Sequence, residues 1–195
     1  VIINKCEVHL IIYLILPVAL YSYCSFPRQE TGINAERIMI AMESGEQFLK
    51  LLKSRLSGDR KELFEFVCKE LMNVNGNYNW VGIYVVKGEK LVLDTFAGEK
   101  TEHNVISIGD GLCSKAIVTN AIVNEPDVTS NSDYLACFRS TRSELVVPIR
   151  DGQLPIGELD LDSNTASAFN KEDEVFLADV GELISGRVRE IYSKE

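Results

Sequence analysis

Two thiols and three acids stand out by their surroundings. Cys113 lies in Ile-Gly-Asp-Gly-Leu-Cys-Ser-Lys-Ala, where a glycine-rich loop runs into a short apolar segment. Cys137 lies in a polar stretch, seven residues before Glu144 opens the segment Glu-Leu-Val-Val-Pro. Asp160 and Asp162 follow downstream. A thiolate is a nucleophile, and carboxyl groups transfer protons and seat positive charge. The set points to thiol chemistry on a small polar substrate. Cysteines so far apart meet only if the elements between them fold back.

Those elements are legible from periodicity. Apolar residues recur at three- and four-residue steps from Glu36 to Leu56, which predicts a helix. Ser57-Gly58-Asp59 breaks it, and Asp59 caps a second helix over 60–74, with Cys68 a core thiol among apolar neighbours. The period then changes to that of strands. Residues 79–86 and 91–97 form a hairpin, and a short strand follows at 105–108. Gly109-Asp110-Gly111 launches a helix over 112–119, and 121–124 is another strand. The polar stretch 125–141 is longer than a plain connection and has the length of a functional loop. Residues 144–149 and 155–161 form a second hairpin turning on Asp151-Gly152. Asn170, with Asp173 three residues on, caps a last helix over 171–192.

Asp160 and Asp162 are two apart on a strand and face the same side. Trp80 and Tyr84 alternate with Val81 and Ile83, so one of these pairs is core. Hairpin-joined strands mean an α+β fold with a mostly antiparallel central sheet, helices packed on one face and the ligand pocket on the other.

Composition narrows the function classes. The net charge is -9 and no basic run occurs, which excludes a nucleic-acid surface. Five cysteines without a Cys-x-x-Cys pair, and only two histidines, predict neither a structural zinc site nor a disulfide scaffold. Asp160-x-Asp162-x-Asn164 has the look of a hard-cation loop, but the following glycine and glutamate are missing. The expectation is no metal, no cofactor and a reducing, cytoplasmic setting. Residues 1–38 read as an apolar extension and 39–195 as the catalytic domain. Residues 8–23 fall short of the roughly 20 needed to span a bilayer, and no methionine precedes Met39. An over-extended start, a signal anchor and a packed apolar segment all fit, and membrane contact is expected only if 8–23 acts as an anchor.

The frame Asn79-Trp80-Val81-Gly82-Ile83-Tyr84, Gly109-x-Gly111-x-Cys113, Ala136-Cys137, Ser143-Glu144-x-Val146-x-Pro148, Ile156-Gly157-x-Leu159-Asp160-Leu161-Asp162-Ser163 and Phe169-x-x-Glu172-Asp173 resembles a GAF domain. Within that superfamily it is most similar to the free methionine-R-sulfoxide reductases. The resemblance implies a thiol enzyme that reduces free L-methionine R-sulfoxide to methionine through a sulfenic acid and a disulfide, with a thioredoxin-type reductant restoring the thiols. It implies Cys137 as the attacking cysteine and Cys113 as the resolving one. Glu144, Asp160 and Asp162 then surround the substrate, and Trp80 and Tyr84 wall its methyl and sulfoxide end. Three acids converging on one place suit the α-ammonium of a free amino acid, and one of them can stay protonated as the general acid.

Two departures from the family pattern follow. His103 stands where members often carry a third cysteine, which leaves either Cys113 resolving or an outside thiol attacking the sulfenic acid directly. Arg142 stands where many have a small amide residue, and Arg139 or Arg142 is placed to lower the Cys137 pKa. A homodimer through the N-terminal helices would fit the family. The competing readings are a non-catalytic GAF sensor of a small ligand and a redox sensor that switches between Cys113 and Cys137 without turnover.

Overall fold

The computed structural model describes residues 31–192, with side chains from residue 43 onward. The apolar stretch 8–23, and any anchoring role for it, lies outside the described residues. Among these no helix is long and apolar enough to cross a membrane.

Helices α1 (Thr31–Arg55) and α2 (Arg60–Val74) come first. The Asp59 carboxylate accepts from the Glu62 backbone N–H at 3.0 Å, so the expected cap is in place. Strands β1 (Trp80–Lys87) and β2 (Lys90–Ala97) form the first hairpin, and β3 (Val105–Ser107) pairs on its outer edge. Helix α3 (Gly111–Thr119) and β4 (Val123–Glu125) lead to the long loop, which contains one 3-10 turn at Val128–Ser130. The second hairpin is β5 (Ser143–Asp151) with β6 (Leu154–Ser163), and α4 (Lys171–Tyr192) closes the described chain.

The six strands stand in the order β3-β2-β1-β6-β5-β4, and every pairing is antiparallel. The β1–β6 ladder joins the two hairpins at the centre of the sheet. Side chains alternate across it. Val81, Ile83, Val85, Leu145, Val147, Leu159 and Leu161 face a core filled by Phe48, Phe64, Leu71, Leu177 and Ile184 from α1, α2 and α4. Trp80 and Tyr84 face the other way, in a second cluster with Val146 and with Leu112, Cys113 and Ala116 of α3. The question left open by their alternation is thereby answered: Val81 and Ile83 are core, while Trp80 and Tyr84 belong to the opposite face. The division of helices from pocket holds for α1, α2 and α4. The short α3 lies on the pocket face and forms its wall.

The last helix is anchored by a reciprocal cap. Asn170 Oδ1 accepts from the Asp173 N–H at 3.0 Å, and Asp173 Oδ2 accepts from the Asn170 N–H at 2.8 Å. Asp173 Oδ1 also accepts from the Tyr78 hydroxyl at 2.5 Å, which ties the start of α4 to a residue two before β1. Cys68 is buried as expected of a core thiol, with its Sγ 3.7 Å from the Thr95 carbonyl.

Candidate active site

Strand β6 carries Glu158, Asp160 and Asp162 at alternate positions, so all three carboxyls leave the sheet on the α3 side. The β5 register sets Glu144 directly across from Asp162. The β1 register sets Trp80 across from Asp162, Gly82 across from Asp160 and Tyr84 across from Glu158. All four acids are buried, and Glu158 and Asp160 are 0% exposed.

The aromatic wall depends on Gly82. A Cβ at that position would overlap the six-membered ring of Trp80. Glycine is the flat place on β1 that lets the indole lie along the strand. Trp80 Nε1 donates to the Glu99 carbonyl at 2.9 Å, and the indole stacks on Phe96 with 5.9 Å between centroids. Phe138 closes over it at 5.9 Å, and the Tyr84 ring lies at 6.5 Å. The Tyr84 hydroxyl donates to the His103 carbonyl at 2.8 Å.

Helix α3 presents its third residue, Cys113, to the acids. Cys113 Sγ stands 3.5 Å from Asp160 Oδ2 and 3.7 Å from Glu144 Oε1. Gly111, at φ +76°, begins the helix against the side chain of Leu135, so α3 and the Cys137 loop are in close contact. Cys137 is half-buried beside Phe138. His103 Nε2 lies 3.1 Å from the Ala136 carbonyl, so His103 borders the Cys137 loop. A cavity of about 60 Å³ opens between Trp80, Phe138, Thr141 and Asp162. A wider, open depression of about 230 Å³ around Arg55, Gly58 and Asp59 holds none of the buried acids or thiols.

Burial is the leading cause that pushes every acid of the cluster up. It lifts Asp160 to about 7. Glu144 rises well above the usual carboxylate range through burial and then the charges of Asp160 and Asp162. Glu158 and Asp162 rise well above it through burial and then Asp160. The thiols respond to the same acids. Cys113 is raised by burial, then by Asp160, Glu158 and Glu144, and Cys137 by burial, then by Asp160, Asp162 and Glu144. The expected lowering of Cys137 by Arg139 or Arg142 is not found. Both arginines are exposed, and Arg142 acts on Asp127 instead.

Asp160 Oδ1, both oxygens of Asp162 and both of Glu158 are buried without a hydrogen bond of normal geometry. Orphaned carboxylate oxygens are costly unless they are neutral or a cation satisfies them. The cluster is therefore built either to hold protons or to receive positive charge. The sequence-predicted residues Cys113, Cys137, Glu144, Asp160, Asp162, Trp80 and Tyr84 all gather on this face. Sequence reasoning missed Glu158, Phe138 and Tyr134, whose hydroxyl is also buried without a partner. Glu158 carries the same two-residue spacing that singled out Asp160 and Asp162. Phe138 directly follows Cys137, but no period reaches into the loop to orient it. Among the described residues, one set has donor atoms close enough to hold a metal ion: Cys113, Glu144 and Asp160, all within 4.8 Å of one another.

Comparison with known proteins supplies a frame for this geometry. The family model "GAF domain" matches residues 33–188. The free methionine-R-sulfoxide reductase of Escherichia coli is 35% identical over 96 residues, 49% of this chain and 58% of that protein. The Saccharomyces cerevisiae protein of the same name is 35% identical over 112 residues, so the chain matches about three fifths of the length of these curated relatives. Among solved structures, the type II free methionine-R-sulfoxide reductase from Thermoplasma acidophilum is 50% identical with a TM-score of 0.65, over 68% of this chain and 96% of that one.

Proposed function

The chain belongs to the GAF domain family, and from that premise we propose that it reduces free L-methionine R-sulfoxide to L-methionine with its own thiols. The observation that carries this reading is the buried acid cluster. Two thiols, four carboxyls and a Trp80–Tyr84–Phe138 wall share one face, and the acids have oxygens to spare. The wall suits a methyl thioether, and the orphaned carboxylates suit an ammonium group. The names of its relatives point to the same substrate.

The geometry supports the following course. Substrate enters at the Phe138 side with its ammonium toward Asp162. Cys137 attacks the sulfoxide sulfur. With acids raising its pKa, this thiol gives up its proton to a neighbouring carboxylate as it attacks. A protonated member of the Glu144–Asp160 pair delivers a proton to the sulfoxide oxygen. The oxygen passes to sulfur, so Cys137 becomes a sulfenic acid and the substrate leaves as the thioether. Cys113 then attacks the sulfenic sulfur, its proton and the hydroxyl leave as water, and a Cys113–Cys137 disulfide forms. A thioredoxin-type dithiol returns two electrons and two protons. It reaches the pair from the Cys137 side, since Cys113 is only 4% exposed.

The test is a stereospecific assay on free and peptide-bound methionine sulfoxide, with wild type, Cys137→Ser and Cys113→Ser. Wild type turns over the free R form alone. Cys137→Ser loses all turnover, and Cys113→Ser completes one equivalent and stops unless a small thiol is added. No turnover by wild type overturns the enzyme reading, and saturable binding without turnover would make the chain a ligand sensor. Retained turnover in Cys137→Ser overturns the nucleophile.

A further inference from the structure

We propose that Cys113, Glu144 and Asp160 form a binding site for a thiophilic divalent cation, of the Zn²⁺ or Cd²⁺ class, on the floor of the acid cluster. The three donors come from three elements, α3, β5 and β6, and no sequence spacing signals them together. Their separations fit such an ion. A tetrahedral centre with a metal–sulfur bond of about 2.3 Å and metal–oxygen bonds of about 2.0 Å has a sulfur–oxygen edge of about 3.5 Å. Cys113 Sγ lies 3.5 Å from the Asp160 oxygen and 3.7 Å from that of Glu144. An ion can therefore sit among the three side chains with their backbones in place.

An independent feature points into the same space. Asp162 faces Glu144 across the β5–β6 ladder, is 2% exposed, and has both oxygens unpartnered. It stands outside the three-donor set but close enough for its charge to act on Glu144, so it adds negative charge beside the seat. One thiolate among carboxylates selects a borderline or soft ion over Mg²⁺ or Ca²⁺, which prefer an all-oxygen shell. Binding exchanges a proton for the metal: the Cys113 S–H bond breaks, a metal–sulfur bond forms and the proton goes to solvent. The acids that resist a bare thiolate beside them are the groups that attract the dication. The ion would occupy the Glu144–Asp160 pair assigned above to proton delivery and tie up the resolving thiol, so it acts as an inhibitor and not as a cofactor.

The experiment titrates reduced, chelator-stripped protein with Cd²⁺ and follows the near-ultraviolet thiolate-to-metal absorption, with Zn²⁺ as competitor. Wild type and Cys137→Ser are expected to develop the band at one equivalent. Cys113→Ser is expected to lose it, and Asp160→Asn, which keeps the thiol, to bind at least tenfold more weakly. If Cys113→Ser does not fold, Asp160→Asn carries the comparison. A band of full strength in Cys113→Ser or unweakened in Asp160→Asn overturns the site, as does its loss in Cys137→Ser, which would place the ion on the loop thiol. The readout needs no turnover, so it stands or falls apart from the reductase assignment. Where turnover is found, Zn²⁺ suppresses it, and a chelator reverses the effect.

Discussion

The acid cluster predicts an inverted response of stability to pH. Most proteins lose stability on mild acidification because their carboxylates are paired in the fold. Asp160 is the opposite case. Burial raises it to about 7, against an ordinary value of about 3.9 in an unfolded chain. Between those values the native state keeps a proton that the unfolded state has released. Its contribution is fully present below about pH 4 and is lost as pH rises through about 7. About three pH units at about 1.4 kcal/mol each give an upper bound of about 4 kcal/mol. Glu144, Glu158 and Asp162 shift in the same direction and add to the loss. With a chelator present and no substrate, the thermal midpoint should therefore fall as pH is raised from 5 to 8. Asp160→Asn should flatten the slope, because the amide has no proton to lose. Added methionine sulfoxide should restore stability chiefly at the higher pH, where its ammonium meets ionised acids. A midpoint that climbs steadily from pH 5 to 8, or a slope unchanged in Asp160→Asn, would refute the reasoning.

Other perturbations follow from single contacts. Gly82→Ala drives a methyl into the indole and should cost about 1–3 kcal/mol; Trp80 is the only tryptophan, so its emission should shift red, and an unchanged spectrum would count against the steric role. Glu158→Leu removes a buried carboxyl with no hydrogen bond and should stabilise the substrate-free protein at pH 8 by about 1–3 kcal/mol in urea unfolding; a loss of stability would show that Glu158 has a partner when the protein folds. Asp173→Ala removes the acceptor for both the Asn170 N–H and the Tyr78 hydroxyl and should cost about 2 kcal/mol without changing kcat.

Periodicity made much of this architecture legible. The two hairpins, the launching of α3 from its glycine loop and the Asn170 cap all follow from local chemistry, which acts within a few residues. Asp160 and Asp162 were assignable to one face because a strand repeats every two residues. Glu158 obeys the same rule and belongs with them. The errors came where neighbours in sequence are not neighbours in space. Arg139 and Arg142 flank the Cys137 loop in the chain, yet their side chains go to solvent, while the groups that weigh most on the thiol come from β5 and β6. Phe138 was invisible for a related reason: an irregular loop has no period from which to infer direction. The position of α3 on the pocket face also lay beyond reach, since which face a short helix covers is decided by the handedness of the connections around it.

The centre of the sheet has a consequence for biosynthesis. Strand β1 is flanked by β2, its immediate successor, and by β6, which is synthesised long after it. The Tyr78–Asp173 bond just beyond that ladder spans 95 positions. A ribosome releases β1 with one edge unsatisfied and must make most of the remaining chain before that edge is covered. Such long-range closure slows folding and leaves the nascent hairpin open to wrong pairing. The same delay bears on the thiols. Cys113 and Cys137 emerge before the carboxyls of β6 exist, and they are drawn into a common site only when the last two strands zip onto the first. Until then each thiol keeps its ordinary pKa, and the upward shift set by burial and the acids comes only with the native form.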